Sequence, residues 1–499
     1  ITAWQSWKEY RMDEECVTEL PRGGDLPWTL FYPADYAVAS SNLGYHYVYR
    51  ALKELGVAAE RFCGSPVPFR SIEGDTLLER FPVITASVAY EGNAEAFFRW
   101  LDTANIPLHF EDRLSGSFPI IGAGGAMTYI NPLLLSAVCD FIVLGDALDA
   151  LPFAAESLRR YLEDGNKAKL FSMLAEHPSI FVPPVHIRQG SVSAKRRTAN
   201  DQPLDGSYPM NSTWLTPRSS FGKTLLVELQ RGCARNCSYC TLPGCFGKMR
   251  FRDPGVIMER LEQIFTDHEV GQVGLVTPEA GDYPQIEDLL DFLAAKGKGV
   301  SFASLRIDRL TEKMLSALKM GGRHSITVAP ETGSDELRFT CGKRFTNELI
   351  AEKMELAASL GIDQAKLYFM TGLPGETDED IRAIAALSGR IIERTGMNLI
   401  LSVNPFIPKP GTAWSKAEFG GIPELKKKYD ILIRELSKIK KKRPQLRMTS
   451  PKEAENEFSL AWYGYKESTA LAKNRGVSKK VPFDSTARAK TLLELERLW

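Results

Sequence analysis

The sequence predicts an α/β protein: a doubly wound parallel sheet, then a partial (β/α)6 barrel, then a small, mainly helical C-terminal region. Three observations predict it. Strand-like and helix-like segments alternate from Trp28 to Leu162, a polar stretch without periodicity follows, and a second alternation runs from Thr224 to Thr412. The expected divisions are 1–186 for the first domain, 187–222 for a linker or lid, 223–420 for the barrel and 421–499 for the C-terminal region. A chain of 499 residues is too long for one ordinary core, so two or three domains are expected on size alone.

In the first domain "WTLFYPADYAV" (28–38) reads as a strand and loop, and "SNLGYHYVYRALKELG" (41–56) as a helix closed by Gly56. "PVITASVAY" (82–90) is a buried strand and "AEAFFRWLDTANI" (94–106) the next helix. "FPIIGAGGAM" (118–127) is an apolar strand running into glycines, and "DFIVLGDALDALPFAAESLRRYL" (140–162) holds a strand, a loop and a helix. This order gives a Rossmann-like sheet with a ligand crevice at its carboxyl edge. Gly122, Gly124 and Gly125 let the backbone approach a ligand closely there. The following "RQGSVSAKRRTANDQPLDGSYPMNSTWLTPRSS" (188–220) is polar and rich in Ser, Pro and Arg, as linkers and lids are.

In the barrel "TLLVELQ" (224–230) leads into a cysteine-rich loop, and helix "PGVIMERLEQIFTD" (254–267) precedes strand "VGLVTPEAGD" (273–282). "GVSFASLRID" (299–308), "HSITVAPETGS" (324–334), "AKLYFMTGLPGET" (365–377) and "NLILSVNPFIPKPGT" (398–412) are further strands, each ending in Gly, Pro or charged residues. A TIM-type partial barrel places its active site where strands hand over to helices. The cysteine loop stands at the first such handover. Beyond Pro423, Leu425, Tyr429, Leu432, Leu436 and Ile439 recur at helical spacing, and the basic run from Lys438 to Arg447 reads as a solvated helix end. "ARAKTLLELERLW" (487–499) is expected to be a closing helix.

Basic and acidic side chains balance at 62 each, so nothing in the overall charge calls for nucleic acid or anionic lipid. No apolar run approaches the roughly 20 residues of a membrane span, and the first residues are too polar for a secretory signal, so a cytoplasmic protein is expected. Cys16, Cys63, Cys139 and Cys341 show no spacing pattern, and reduced thiols are expected throughout.

Cys233, Cys237 and Cys240 are spaced Cys-x3-Cys-x2-Cys in "ELQRGCARNCSYCTLPGCFGKMR" (228–250). Structural zinc sites use four N or S ligands, usually as two paired knuckles, and no second knuckle or His pair stands nearby. Three thiolates on one short loop suit three irons of a cubane, leaving the fourth iron without a protein ligand. "CARNCSYC" resembles the cluster motif of the radical S-adenosylmethionine superfamily, and the likeness extends from about Lys223 to Trp414. It implies a [4Fe-4S] cluster on the three cysteines, S-adenosylmethionine chelated to the open iron, and Tyr239 near the adenine. By position, Arg306 in "SLRID" and Glu331 in "APETGS" would bind ribose or carboxylate. "TPEAGDYP" (277–284) stands where the family has a Gly-Gly-Glu motif that receives the methionyl amino group, leaving Glu279 and Asp282 as alternatives. Glu376 is expected to orient the turn after the fifth strand, Phe369 and Met370 to be barrel core, and Cys245 to be a buried thiol. Cys341 is a candidate reactive thiol.

"YPADYAVASSNLGYHYVYRAL", "ASVAYEGNAEAFFRWLDTANIPL", "IIGAGGAMTYINP" and "DFIVLGDALDALP" resemble the N-terminal domain of a largely uncharacterised group of radical S-adenosylmethionine proteins, similar to the cobalamin-binding domain of cobalamin-dependent methyltransferases in the superfamily. The resemblance implies a cobalamin-binding-like fold and nominates Asn42, Leu43, Tyr90, Gly124, Gly125 and Gly145 as cofactor contacts. The Asp-x-His-x-x-Gly motif of other cobalamin proteins is absent, and His46 is expected to be a core or surface imidazole.

The activity implied is cobalamin-dependent C-methylation of an unactivated carbon, with a peptide or protein side chain as one substrate and a flavodoxin or ferredoxin as electron donor. Nucleic acid is not expected as a partner. The rivals are a radical enzyme performing cyclisation or rearrangement, an RNA methylthiotransferase-like enzyme using Cys16, Cys63 and Cys139 for a second cluster, and a non-catalytic iron-sulfur protein.

Overall fold

The computed structural model describes residues 6–188, 191–192, 204 and 209–498. Much of the expected linker (189–190, 193–203 and 205–208) lies outside the described residues. The chain forms two compact units, one of residues 1–201, 212–223 and 459–499, the other of 202–211 and 224–458.

The first unit is built on a six-stranded sheet: β1 (Leu26–Asp35), β2 (Val57–Ser65), β3 (Val83–Ser87), β4 (Ile120–Gly124), β5 (Phe141–Val143) and β6 (Ile180–Phe181). Their order is β2-β1-β3-β4-β5-β6, parallel except for the last pair. Helices α1 (Leu43–Glu54), α2 (Glu91–Thr103), α3 (Ala147–Asp164) and α4 (Lys167–Leu174) connect them. Burial on both faces explains the near-continuous apolar strands. Trp28, Leu30 and Tyr32 of β1 meet Tyr45, Tyr49 and Leu52 of α1 and Ala154 and Leu158 of α3 on one face. On the other, Phe31 stacks on Trp100 of α2 with ring centroids 3.9 Å apart.

Strand β2 was not expected. It carries Glu60 and Arg61, which break the apolar pattern, yet the Arg61 guanidinium is buried between Glu14 (2.6 Å) and Glu73 (2.5 Å) and lies 3.9 Å from the Trp214 ring. The same indole stacks on His46 at 3.6 Å. His46 accepts the Thr213 N–H at Nδ1, donates from Nε2 to the Ser40 carbonyl, and is held neutral by burial, its pKa lowered to about 3. Residues 459–498 also join this unit: Asn131 donates to the carbonyls of Ala461 and Tyr463, and the Ser468 hydroxyl to that of Leu134.

The second unit holds the six expected barrel strands and one more: β7 (Thr224–Glu228), β8 (Gln272–Val276), β9 (Gly299–Phe302), β10 (Ser325–Glu331), β11 (Gln364–Thr371), β12 (Asn398–Pro405) and β13 (Gln445–Met448). β7-β8-β9 and β10-β11-β12-β13 each pair in parallel, in that order. Between them run α5 (Pro254–Asp267), α6 (Ile286–Ala295), α7 (Glu312–Met320), α8 (Asn347–Ser359), α9 (Asp378–Thr395) and α10 (Gly421–Leu436). Their starts are fixed locally, as where Asp253 caps α5 with Pro254 at its first position and Thr377 and Asp380 form a capping box on α9. The basic run is not a helix end: α10 stops at Leu436 and the run continues into β13. Among the described residues no helix is long and apolar enough to cross a membrane.

Candidate active site

The cysteine loop starts where β7 ends, and its two ends are zipped by pairing of Gln230 with Phe251 and Arg231 with Arg250. Cys233, Cys237 and Cys240 are free and half-buried, whereas Cys245 is buried in the short helix Leu242–Phe246. Burial is the main cause that raises the Cys233 and Cys240 pKa values, and nearby Cys237 adds to both. Basic groups offset part of this. The Arg235 N–H reaches the Cys233 sulfur at 3.4 Å, and Arg235 and Lys343 favour ionisation of Cys233 and Cys240 respectively. A half-exposed triplet of thiols with backbone and cationic support has the donor chemistry of an iron-sulfur ligand set.

Neighbouring segments clamp the loop. Ser238 donates its N–H to the Cys341 carbonyl (3.0 Å) and accepts from the Trp414 N–H (2.9 Å). Gly342, at φ +90°, lies directly under the triplet, where a Cβ would sit 2.9 Å from the Asn236 carbonyl and 3.1 Å from the Cys237 Cα. Gly342→Ala therefore displaces Cys237 and strains its own backbone. The expected result is loss of most bound iron in the Ala variant, read by iron analysis after anaerobic reconstitution. The Cys341 thiol is buried, with its pKa pushed up to about 12, and so is not the reactive thiol its sequence context suggested.

Tyr239 and Glu331 bond to each other. The phenol donates to Glu331 Oε1 at 2.7 Å, and Lys343 Nζ donates to the same oxygen at 2.6 Å and to the Ala329 carbonyl at 2.9 Å. The Tyr239 ring packs on a small core of Leu337, Cys341, Leu373 and Phe406 together with Met370 and Trp414. Glu331 holds φ +68°, a left-handed conformation that a non-glycine residue keeps only when its surroundings enforce it.

The two acidic alternatives are distinguished by their surroundings. Asp282 is taken up by Arg235, whose Nε donates to Oδ2 at 2.9 Å and whose Nη2 bonds Oδ1. Glu279 is 1% exposed; its Oε1 accepts the Gly281 N–H at 2.9 Å and the Arg306 N–H at 3.4 Å, while Oε2 is buried with no partner among the described residues. Burial pushes the Glu279 pKa up to about 7. An unpaired, buried carboxylate oxygen fits an N–H donor such as an amino group. Arg306 forms a bidentate pair with Asp308 (2.9 and 3.1 Å) and interacts electrostatically with Cys237. Glu376 accepts the Gly372 N–H (2.7 Å) and the Lys428 ammonium (2.6 Å), fixing the turn after β11. Phe369 is buried, and Met370 is half-buried toward Tyr239. Sequence reasoning passed over Lys343, Arg235 and Asp308; the Cys-Gly-Lys at 341–343, directly after a helix, was the available signal for the first.

In the first unit the nominated residues share the carboxyl edge of the sheet. Asn42, capping α1 by accepting the Tyr45 N–H (3.0 Å), and Leu43 follow β1; Tyr90, 55% exposed, follows β3; Gly124 ends β4 and Gly125 follows it; Gly145 follows β5. Order β2-β1-β3 puts the topological switch between β1 and β3, where open α/β sheets bind ligands. Gly125, at φ +106°, packs so closely that a Cβ would lie 2.6 Å from the Val88 carbonyl. The absence of a side chain at Gly125 therefore serves packing against the Val88 backbone. His46 is no candidate for cobalt, since both ring nitrogens are bonded in the core.

Residues 227–387 match the radical SAM superfamily, and residues 49–183 match the N-terminal region of radical SAM proteins. The chain thus carries a radical SAM domain. An uncharacterised protein of Methanocaldococcus jannaschii is 35% identical over 235 residues, 47% of this chain and 50% of that one. The ribosomal protein uS12 methylthiotransferase RimO of Syntrophus aciditrophicus is 27% identical over 266 residues, 50% of this chain and 55% of that one. The chain spans about half the length of these curated relatives. Among solved structures, the cobalamin-dependent S-adenosylmethionine radical enzyme OxsB with aqua-cobalamin and S-adenosylmethionine bound aligns with a TM-score of 0.52 and 18% identity, over 82% of this chain and 56% of that one. That likeness is one of fold.

Proposed function

We propose that this chain is a radical S-adenosylmethionine enzyme that methylates an unactivated carbon of a peptide or protein side chain with the help of cobalamin. The observation that carries the reading is the strand-end triplet Cys233, Cys237 and Cys240 together with the unsatisfied buried oxygen of Glu279. The three thiols would hold a [4Fe-4S] cluster, Glu279 the methionyl amino group, Arg306 the carboxylate, and Tyr239 and Glu331 the nucleoside. Cobalamin would lie on the carboxyl edge lined by Asn42, Leu43, Tyr90, Gly124, Gly125 and Gly145. When bound, the cluster supplies the electron that splits the sulfonium C–S bond, and cobalamin supplies the methyl group. A flavodoxin or ferredoxin would deliver that electron.

OxsB's fold and the topological switch at the carboxyl edge of the sheet support the cobalamin component. Anaerobic purification with hydroxocobalamin tests it. Corrin absorption should persist through gel filtration, and its loss would remove cobalamin from the scheme. A methylthiotransferase reading draws on relatives such as RimO. Its second cluster does not suit this sheet: Cys63 is on β2 and Cys139 just before β5, four strand spacings or about 19 Å apart in the order β2-β1-β3-β4-β5, and both are buried.

Glu279 also fixes a pH dependence. Accepting an N–H of the methionyl amino group at Oε2 requires the ionised carboxylate, so below about pH 7 Glu279 must lose a proton on binding. The Glu279 share of the affinity for S-adenosylmethionine should rise up to about tenfold per pH unit as pH climbs toward 7 and level off above it. Isothermal titration on cluster-loaded protein should show this slope, and E279Q should bind weakly with a shallower pH profile than the wild type. Without ligand the sign reverses for folding: a carboxyl raised from 4.5 to about 7 makes stability fall as pH rises between those values.

A further inference from the structure

The second sheet of the barrel has one face under helices and one face open. On β11, Ala365, Leu367, Phe369 and Thr371 are buried while Lys366, Tyr368 and Met370 are half-buried; on β12, Leu399, Leu401 and Val403 are buried while Ile400, Ser402 and Asn404 are half-buried. Met370 packs in the small core that includes Tyr239 of the cysteine loop, so this face is the one turned toward the cysteines. Side chains in cross-strand register share a face. Tyr368, Ser402 and Arg447 form one row across β11, β12 and β13, and Lys366, Ile400 and Gln445 form the row beneath it.

Barrel interiors are ordinarily filled by packed apolar layers. Here the open face carries two cations. Lys366 Nζ donates to the Tyr368 hydroxyl at 2.6 Å and lies 4.5 Å from that ring, and Arg447 is exposed at the edge. Among the described residues neither pairs with a carboxylate. By strand spacing their Cα atoms are about 12 Å apart, within joint reach of both side chains on one anion. Tyr368 and Ser402, between them, offer hydroxyls to the same group.

We propose that the open face of β11–β13 is a substrate subsite for an anionic group, a carboxylate or a phosphate ester, gripped by Lys366 and Arg447 with Tyr368 and Ser402. The inference rests on the reading of the cysteine loop as the radical-generating site and names the substrate chemistry it serves. Met370 stands two strand positions, about 7 Å, beyond Tyr368 on the side of the cysteine loop, so an anion held here leaves the rest of the substrate extending toward the cysteines.

The test uses cluster-loaded full-length protein under anaerobic conditions. Lysines are acetylated with sulfosuccinimidyl acetate and mapped by peptide mass spectrometry, with inorganic phosphate, succinate or neutral succinamide as probe. Phosphate or succinate should slow acetylation of Lys366 about tenfold, leave exposed Lys440 unaffected, and lose that protection in R447M. Protection by phosphate alone assigns a phosphate ester, and by succinate alone a carboxylate. Absence of protection, equal protection by succinamide or at Lys440, or undiminished protection in R447M overturns the subsite. Formation of 5′-deoxyadenosine by the wild-type preparation, with no probe present, reports separately on the radical reading. If it forms without Lys366 protection, only the subsite fails; if protection occurs without it, the radical reading fails and the subsite loses the role assigned to it.

Discussion

Alanine at Cys233, Cys237 or Cys240 is expected to remove the bound iron and all 5′-deoxyadenosine formation, the largest effect in the molecule. Three thiolates are the whole protein ligand set proposed for a four-iron cubane, so each loss leaves only two anchors. The loop itself should survive, because its ends stay zipped at Gln230–Phe251 and Arg231–Arg250 and its middle stays pinned through Ser238. Iron per chain should fall from about four to well under one in each variant. Cys245→Ala should keep its iron, since that side chain is buried in a separate short helix. Iron loss in Cys245→Ala with retention in Cys240→Ala would move the ligand set.

Lys343→Met is expected to destabilise the barrel unit by about 3–5 kcal/mol, the penalty of leaving one partner of a buried ion pair uncompensated. Lys343 and Glu331 are 7% and 8% exposed, and Glu331 Oε1 takes both the ammonium and the Tyr239 hydroxyl. Removing the ammonium leaves a buried carboxylate beside a phenol only. Tyr239 sits between Cys237 and Cys240, so the disturbance reaches the cluster loop and should lower iron retention as well. Glu331→Gln added to Lys343→Met should recover part of the loss, a coupling that a denaturant double-mutant cycle measures. Additive losses in the single and double variants, a coupling near zero, would show that the pair does not hold the loop.

The sequence made the parallel strands legible because strands buried on both faces read as apolar runs stopped by Gly or Pro, as in "PVITASVAY" and "FPIIGAGGAM". β2 was illegible because its Arg61 is buried by partners from elsewhere in the chain, Glu14 and Glu73. β13 looks in sequence like part of a basic helix end, since an exposed edge strand of four residues has no apolar signature. Periodicity also could not say that residues 459–498 pack with the first unit, because an amphipathic face does not name its partner. At the site, spacing nominated the three cysteines, and position nominated Glu279 beside Asp282. Separating those two acids took the Arg235 pair and the unpartnered Oε2, contacts between residues 47 apart in the first case. The bond from Tyr239 to Glu331 spans 92 residues and has no local signal.

The most direct measurement is the electron paramagnetic resonance spectrum of dithionite-reduced, anaerobically reconstituted protein before and after S-adenosylmethionine is added. An open iron predicts a reduced [4Fe-4S] signal from about four irons per chain whose g-values shift on addition. A signal unchanged by S-adenosylmethionine, or zinc in place of iron at Cys233, Cys237 and Cys240, would contradict it.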